Sequence, residues 1–204
     1  MMDHFYFNIS GWFCFHDVYD RVLALAPDGA HFVEVGCWKG RSTAYMAVNI
    51  LNSKKRIVFD VVDTFEGSRE HHEDGIDCTD LFEEFMANMA PASHAIRHVR
   101  RESSLRASER YEDGSLAFVF LDASHEEADV RADILAWTPK LRPNGILAGD
   151  DLLAKEHPGV MRALQSLGYF TEKNPGLISG GVYPSWIIPP KDKIDLWKTP
   201  RESI

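Results

Sequence analysis

Residues 31–51 constrain this chain more than any other stretch. His31-Phe32-Val33-Glu34-Val35 is a short apolar run, interrupted only by Glu34, and it stops at Gly36. Gly40 follows, and from Ser42 onward Ala44, Ala47, Val48 and Leu51 recur at helical spacing. An apolar run, a glycine turn and a helix start predict a buried parallel strand feeding directly into a helix. Glycines at Gly36 and Gly40 let a ligand approach the backbone closely, because neither carries a Cβ. The helix N-terminus behind them offers free N–H groups to an anionic part of that ligand. Trp38 stands where a dinucleotide fingerprint needs its second glycine, so the turn does not fit NAD.

The rest of the chain repeats the alternation. Helices are expected at about 16–26, 42–51, 104–111, 126–137 and 158–167. Strands are expected at 31–35, 57–62, 96–99, 117–121 and 146–148, with late strands at Tyr169–Thr171 and Trp186–Ile188. Pro143-Asn144-Gly145 reads as a turn. Residues 66–75 are polar and loop-like, and Leu81, Phe82, Phe85 and Met89 then mark an amphipathic helix. Segment 66–93 is read as a candidate lid, 1–28 as an N-terminal cover and 190–204 as a polar tail, all within one domain spanning 1–204. Strands alternating with helices predict an α/β, Rossmann-like fold with a mostly parallel sheet and helices on both faces.

The formal net charge is −9, from 31 acids against 22 bases, which disfavours a nucleic-acid partner. Three scattered cysteines without metal-type spacing fit reduced thiols and a cytoplasmic location. The aromatic N-terminus lacks the basic region of a signal peptide, and no apolar run reaches membrane-spanning length. No membrane partner is expected. Homo-oligomerisation is left open.

Ligands of open α/β sheets sit at the carboxyl ends of the strands. Those ends carry Glu34, Asp63, Glu102-Ser103, Asp122 and Asp150-Asp151, with His125 just past Asp122. Asp63 suits the two hydroxyls of a ribose, or is an ordinary strand-end turn residue. Asp122, Asp150 and Asp151 on adjacent strand ends would repel one another unless paired. A hard cation such as Mg²⁺ resolves that repulsion. The other roles open to them are capping a helical turn, for Asp150 or Asp151, and holding a cofactor amine, for Asp122. His125 has an ordinary pKa suited to a general base at neutral pH, or is a structural loop residue.

The motif Glu34-x-Gly36-x-x-x-Gly40-x-Ser42 resembles the first motif of class I S-adenosylmethionine (SAM) dependent methyltransferases. Leu121-Asp122-Ala123-Ser124-His125 and Gly149-Asp150-Asp151 resemble the bacterial family that includes the macrocin-type, metal-dependent sugar O-methyltransferases. They resemble catechol O-methyltransferase more distantly, with a lysine there in place of His125. The resemblance implies a seven-stranded sheet whose last strand is antiparallel. It also implies SAM bound by the loop of Glu34, Gly36, Cys37, Lys39 and Gly40, its carboxylate at Ser42, its adenine beside Glu102 and Ser103, and its sulfonium near Asp122. Mg²⁺ would rest on Asp122, Asp150 and Asp151, with His125 as base. The expected reaction is O-methylation of a small hydroxylated substrate, a sugar or catechol-like diol. A metal-independent methyltransferase and a non-catalytic SAM-binding module are the alternatives.

Overall fold

The computed structural model describes residues 1–153, 155, 157–171, 177–179 and 184–188. The polar tail after Pro189 and most of 174–185 lie outside the described residues. The elements run α1 (His16–Leu25), β1 (His31–Val35), α2 (Arg41–Ser53), β2 (Val58–Asp63), α3 (Arg69–Glu73), α4 (Leu81–Met89), β3 (His98–Arg101), α5 (Ser104–Ser108), β4 (Leu116–Leu121), α6 (Glu127–Trp137), β5 (Leu141–Gly149), α7 (Pro158–Ser166), β6 (Leu177–Ser179) and β7 (Ser185–Ile188). The sheet has seven strands in the order β3-β2-β1-β4-β5-β7-β6. β1 to β5 are parallel, and β7 enters antiparallel between β5 and β6.

Two-residue periodicity divides the core. Phe32, Phe59, Val61, Phe118 and Phe120 face α1, α2 and α4 in one apolar cluster. Val33, Val35, Val62, Val119 and Leu121 face α5, α6 and α7 in the other, with the indole of Trp137 fully buried among them. Asp60 is the fully buried charged residue of β2, at 0% exposure. It accepts hydrogen bonds from the Arg97 guanidinium and the Tyr111 hydroxyl and lies 3.0 Å from His31 Nε2. Burial alone would raise its pKa, but His31 and Arg97 hold it well below the usual carboxylate range.

Four sequence expectations are corrected here. The third strand lies at His98–Arg101 rather than 96–99. Pro143-Asn144-Gly145 lies inside β5, which begins at Leu141 and shifts register against β4 between Leu116 and Phe118. Such an irregularity accommodates a proline, which cannot donate to the ladder. Tyr169–Thr171 does not form a strand of the main sheet, and the strand beside β7 is Leu177–Ser179. Polar residues 69–73 form α3, a single helical turn capped by Ser68, whose side chain and that of His71 exchange bonds with each other's backbone. The second half of segment 66–93 is built into the core, because Leu81, Phe85 and Met89 of α4 are all buried.

Candidate active site

β1 ends at Val35 and turns through Gly36 with φ +83°. A Cβ there would stand 2.0 Å from the Asp122 carbonyl oxygen, so only glycine lets the ends of β1 and β4 meet this closely. Gly40 has φ +90° and packs on the ring of Phe85 and the sulfur of Met89. Its neighbour Lys39 pairs with Glu84 at 2.9 Å, and the Lys39 carbonyl accepts the Asn88 side chain at 2.9 Å. The glycine loop therefore rests on α4. Lys39 turns to that helix rather than to the loop's open side.

Asp63 closes the loop from β2. Its Oδ2 accepts the backbone N–H groups of Cys37 and Trp38 at 2.8 and 2.9 Å, and its Oδ1 accepts that of Phe65 at 2.7 Å. Carboxylate oxygens have two lone pairs each, so capacity for ligand hydroxyls remains. Cys37 is 3% exposed and gives Asp63 its backbone N–H. Trp38 takes the left-handed φ of 47° and stacks its indole on His71 at 3.9 Å, and Trp12 lies 6.1 Å beyond the same ring.

Glu34 and Ser42 have a different task from the one the motif suggested. Glu34 is 1% exposed and accepts the hydroxyls of Ser42, Thr43 (2.7 Å) and Tyr19 (2.9 Å). It shares a strand face with Phe32, because side chains alternate, and so it points at α1 and α2. Burial pushes its carboxyl up to about 7 against those three donors. Its role is to lock both helices to β1. Glu102 is likewise engaged, with Arg110 at 3.2 Å, Arg106 at 3.6 Å and Arg100 at 3.9 Å. Ser103, next to it, is the residue from which α5 starts.

The charged cluster forms where β4 and β5 end. His125 Nε2 lies 3.0 Å from Asp151 Oδ2 and 3.9 Å from Asp122 Oδ1. Asp122, His125 and Asp151 bring one donor atom each within 4.8 Å of one another, the spread of a metal-binding group. Asp150, the third acid of the expected trio, lies outside that donor group. Its oxygens take the Ser185 hydroxyl at 2.8 Å and the Cys14 thiol at 3.5 Å. Adjacent residues in extended chain face opposite ways, and the left-handed turn at Asp151, φ 58°, swings that carboxylate toward His125. Burial pushes Asp122 upward, and burial with Asp122 alongside pushes Asp150 up to about 7. Burial would lower His125, but Asp122 and Asp151 overcome it and push the ring up to about 10.

Neither ring nitrogen of His125 makes a well-formed hydrogen bond, although Asp151 Oδ2 stands 3.0 Å from Nε2. Buried polar atoms without partners are rare in folded proteins. Two carboxylates beside that imidazole, with one donor atom of each residue within 4.8 Å of the others, suit a divalent cation. Sequence reasoning missed Glu70 and His157, which lie on the Nδ1 side of His125 and form a second potential donor group with it. Neither has a motif around it. The one available signal was His157 immediately before Pro158, at the helix start that follows β5.

A family model described as a methyltransferase domain matches residues 33–152, more than half of the chain. No curated protein matches by sequence. Solved structures share the fold at low identity. CalS11, a TDP-rhamnose 3′-O-methyltransferase of calicheamicin biosynthesis, is 17% identical with TM-score 0.57, over 85% of this chain and 76% of that one. The O-methyltransferase NovP is 15% identical with TM-score 0.58, over 85% and 76%. A structure described as an rRNA methylase from Clostridium thermocellum is 10% identical with TM-score 0.62, over 89% and 99%. The glycine loop, the acids at the strand ends, the antiparallel β7 and the match over 33–152 lead to one conclusion: this chain belongs to the methyltransferase domain family, as a class I SAM-dependent methyltransferase.

Proposed function

We propose that the chain is a divalent-cation-assisted O-methyltransferase acting on a small hydroxylated molecule, a sugar or catechol-like diol. The observation that carries this reading is the Asp122–His125–Asp151 cluster, whose Asp122 backbone is in contact with the glycine turn at Gly36. The likeness to CalS11 supports a sugar hydroxyl as acceptor.

When bound, SAM supplies an electrophilic methyl group, and Mg²⁺ supplies Lewis acidity that lowers a hydroxyl pKa. Asp122 and Asp151 would hold the cation, and Asp150, fixed by Ser185, would buttress them. The Gly36–Gly40 turn would hold the methionine part of SAM, and Asp63 the ribose, through the oxygen capacity left after it caps the loop. His125 takes the acceptor hydroxyl proton at Nε2. Much of the acceleration comes from holding acceptor oxygen and methyl carbon in register. Only neutral imidazole accepts a proton, so Asp122 and Asp151 must have their charge compensated when His125 acts. A net charge of −9 disfavours a nucleic-acid acceptor.

The deciding experiment is a methyl-transfer assay with nucleotide sugars and catechols, with and without EDTA. Turnover abolished by EDTA and restored by Mg²⁺ is expected. Full turnover in EDTA would replace this reading with a metal-independent methyltransferase.

A further inference from the structure

The α3 turn places three consecutive side chains on two walls of the site. Arg69 reaches Glu126 at 3.4 Å, beside His125 on the β4–α6 loop. His71 stacks on Trp38 of the glycine loop. Glu70, between them, sets Oε1 3.4 Å from His125 Nδ1 and 3.8 Å from His157 Nδ1. The His157 ring lies against that of His125, with centroids 4.0 Å apart and planes 32° apart. The His125 loop is held from below as well, because a Cβ on Gly159 would come within 2.3 Å of the His125 carbonyl oxygen.

His125 is thus flanked by carboxylates on both edges of its ring. Asp122 and Asp151 stand at Nε2 and Glu70 at Nδ1. A base that takes a proton at Nε2 must carry its own proton at Nδ1, and once a cation takes up the carboxylates facing Nε2 that tautomer is selected by the acceptor facing Nδ1. Nδ1 is buried and lacks a hydrogen-bond partner, while a carboxylate oxygen stands only a few tenths of an ångström beyond bonding range. Such bonds are commonly long before substrate arrives and tighten in the reacting complex.

We propose that Glu70 is the positioning residue for His125: its carboxylate accepts the Nδ1–H and so presents Nε2, unprotonated, to the acceptor hydroxyl between Asp122 and Asp151. This rests on the reading of His125 as the base. His157 packs the ring from one side and keeps it in the plane that Glu70 requires. The proposal also gives segment 66–93 a chemical task, because one residue of it completes the base.

The test uses the full chain labelled with ¹⁵N-histidine, with His125 resonances assigned by loss in His125→Gln. Long-range ¹H–¹⁵N spectra in Mg²⁺ should show the Nδ1–H tautomer in the wild type. In Glu70→Ala it should give way to the Nε2–H form or a mixture. Glu70→Gln, which keeps an acceptor oxygen, should restore part of the wild-type pattern. With an acceptor in hand, Glu70→Ala should lower kcat roughly 10–100-fold, the usual weight of an orienting partner to imidazole. KM for SAM should be unchanged. An unchanged His125 tautomer in Glu70→Ala would overturn the proposal, as would a raised KM for acceptor with kcat intact. The spectra need no turnover, so failure of the O-methylation reading would show separately in the EDTA assay.

Discussion

Gly36 lies so close to the backbone of Asp122 that no side chain fits between them: an added Cβ would stand 2.0 Å from the Asp122 carbonyl oxygen. The glycine that shapes the cofactor loop and the acid at the head of the charged cluster are in direct main-chain contact. Gly36→Ala should therefore damage both functions at once. The expected result is destabilisation of about 1–3 kcal/mol from overpacking, with weakened binding of SAM and of Mg²⁺. Calorimetric titration of each ligand, beside a thermal melt, checks it. Loss of SAM binding alone would mean that the ligand, and not Asp122, meets the new methyl group.

Asp150 and Asp151 should behave differently although they are neighbours. Asp151→Asn removes the carboxylate charge 3.0 Å from His125 and should abolish metal-dependent turnover. Asp150→Asn alters a group held by Ser185 and Cys14 and should weaken Mg²⁺ binding only modestly. Mg²⁺ titrations of the two variants decide the matter, and equal losses would restore the expected trio of aspartates.

His125→Ala should lower kcat by about 10²–10⁴-fold while SAM binding is kept. The pH profile has a definite sign. Asp122 and Asp151 push His125 up to about 10, so at neutral pH and low Mg²⁺ the ring is an imidazolium and the rate should climb with pH well above 6.5. Raising Mg²⁺ compensates the carboxylates and should move the rising limb to lower pH. A limb that ignores Mg²⁺ would mean that the carboxylates which tune His125 are not those that bind the cation.

Glu34 predicts how stability follows pH. Its folded pKa is about 7 against an ordinary 4.5, so between these values the folded state holds a proton that the unfolded state has lost. Stability from this group is full below about pH 4.5 and declines as pH rises through 7, by about 3 kcal/mol in all. Asp133, pushed up to about 6 by burial, adds in the same direction. Urea unfolding across pH 5–8 should show the decline, and Glu34→Gln should flatten it.

Phe85→Ala should open a cavity under Gly40 and cost about 3–5 kcal/mol. Because the glycine loop rests on that ring, SAM affinity should fall in parallel. A stable variant with intact SAM binding would show that the loop is held by Asp63 alone.

The strand–turn–helix at 31–53 was legible because apolar period, glycine and helix start agree there. The strand-end acids were legible because a parallel sheet must present its carboxyl ends together. Glu34 misled because it precedes Gly36, although two-residue alternation puts it on the face of Phe32, away from the loop. The partners of Asp150 were not legible, because sequence adjacency says nothing of direction and Asp151 takes a left-handed φ of 58°. The α3 turn was invisible. It has five residues and no buried side chain, so no hydrophobic period announces it.

That brevity has a consequence. A five-residue helix cannot sustain itself in water, because nucleation costs more than so few bonds return. α3 exists by virtue of what Arg69, Glu70 and His71 touch. Its helix–coil equilibrium is therefore coupled to the closure of both walls, and each melting event would unlatch Trp38 and His125 together. Traffic through the mouth would then be metered by the fraying of one turn of backbone, and amide exchange at residues 69–74 would be its clock.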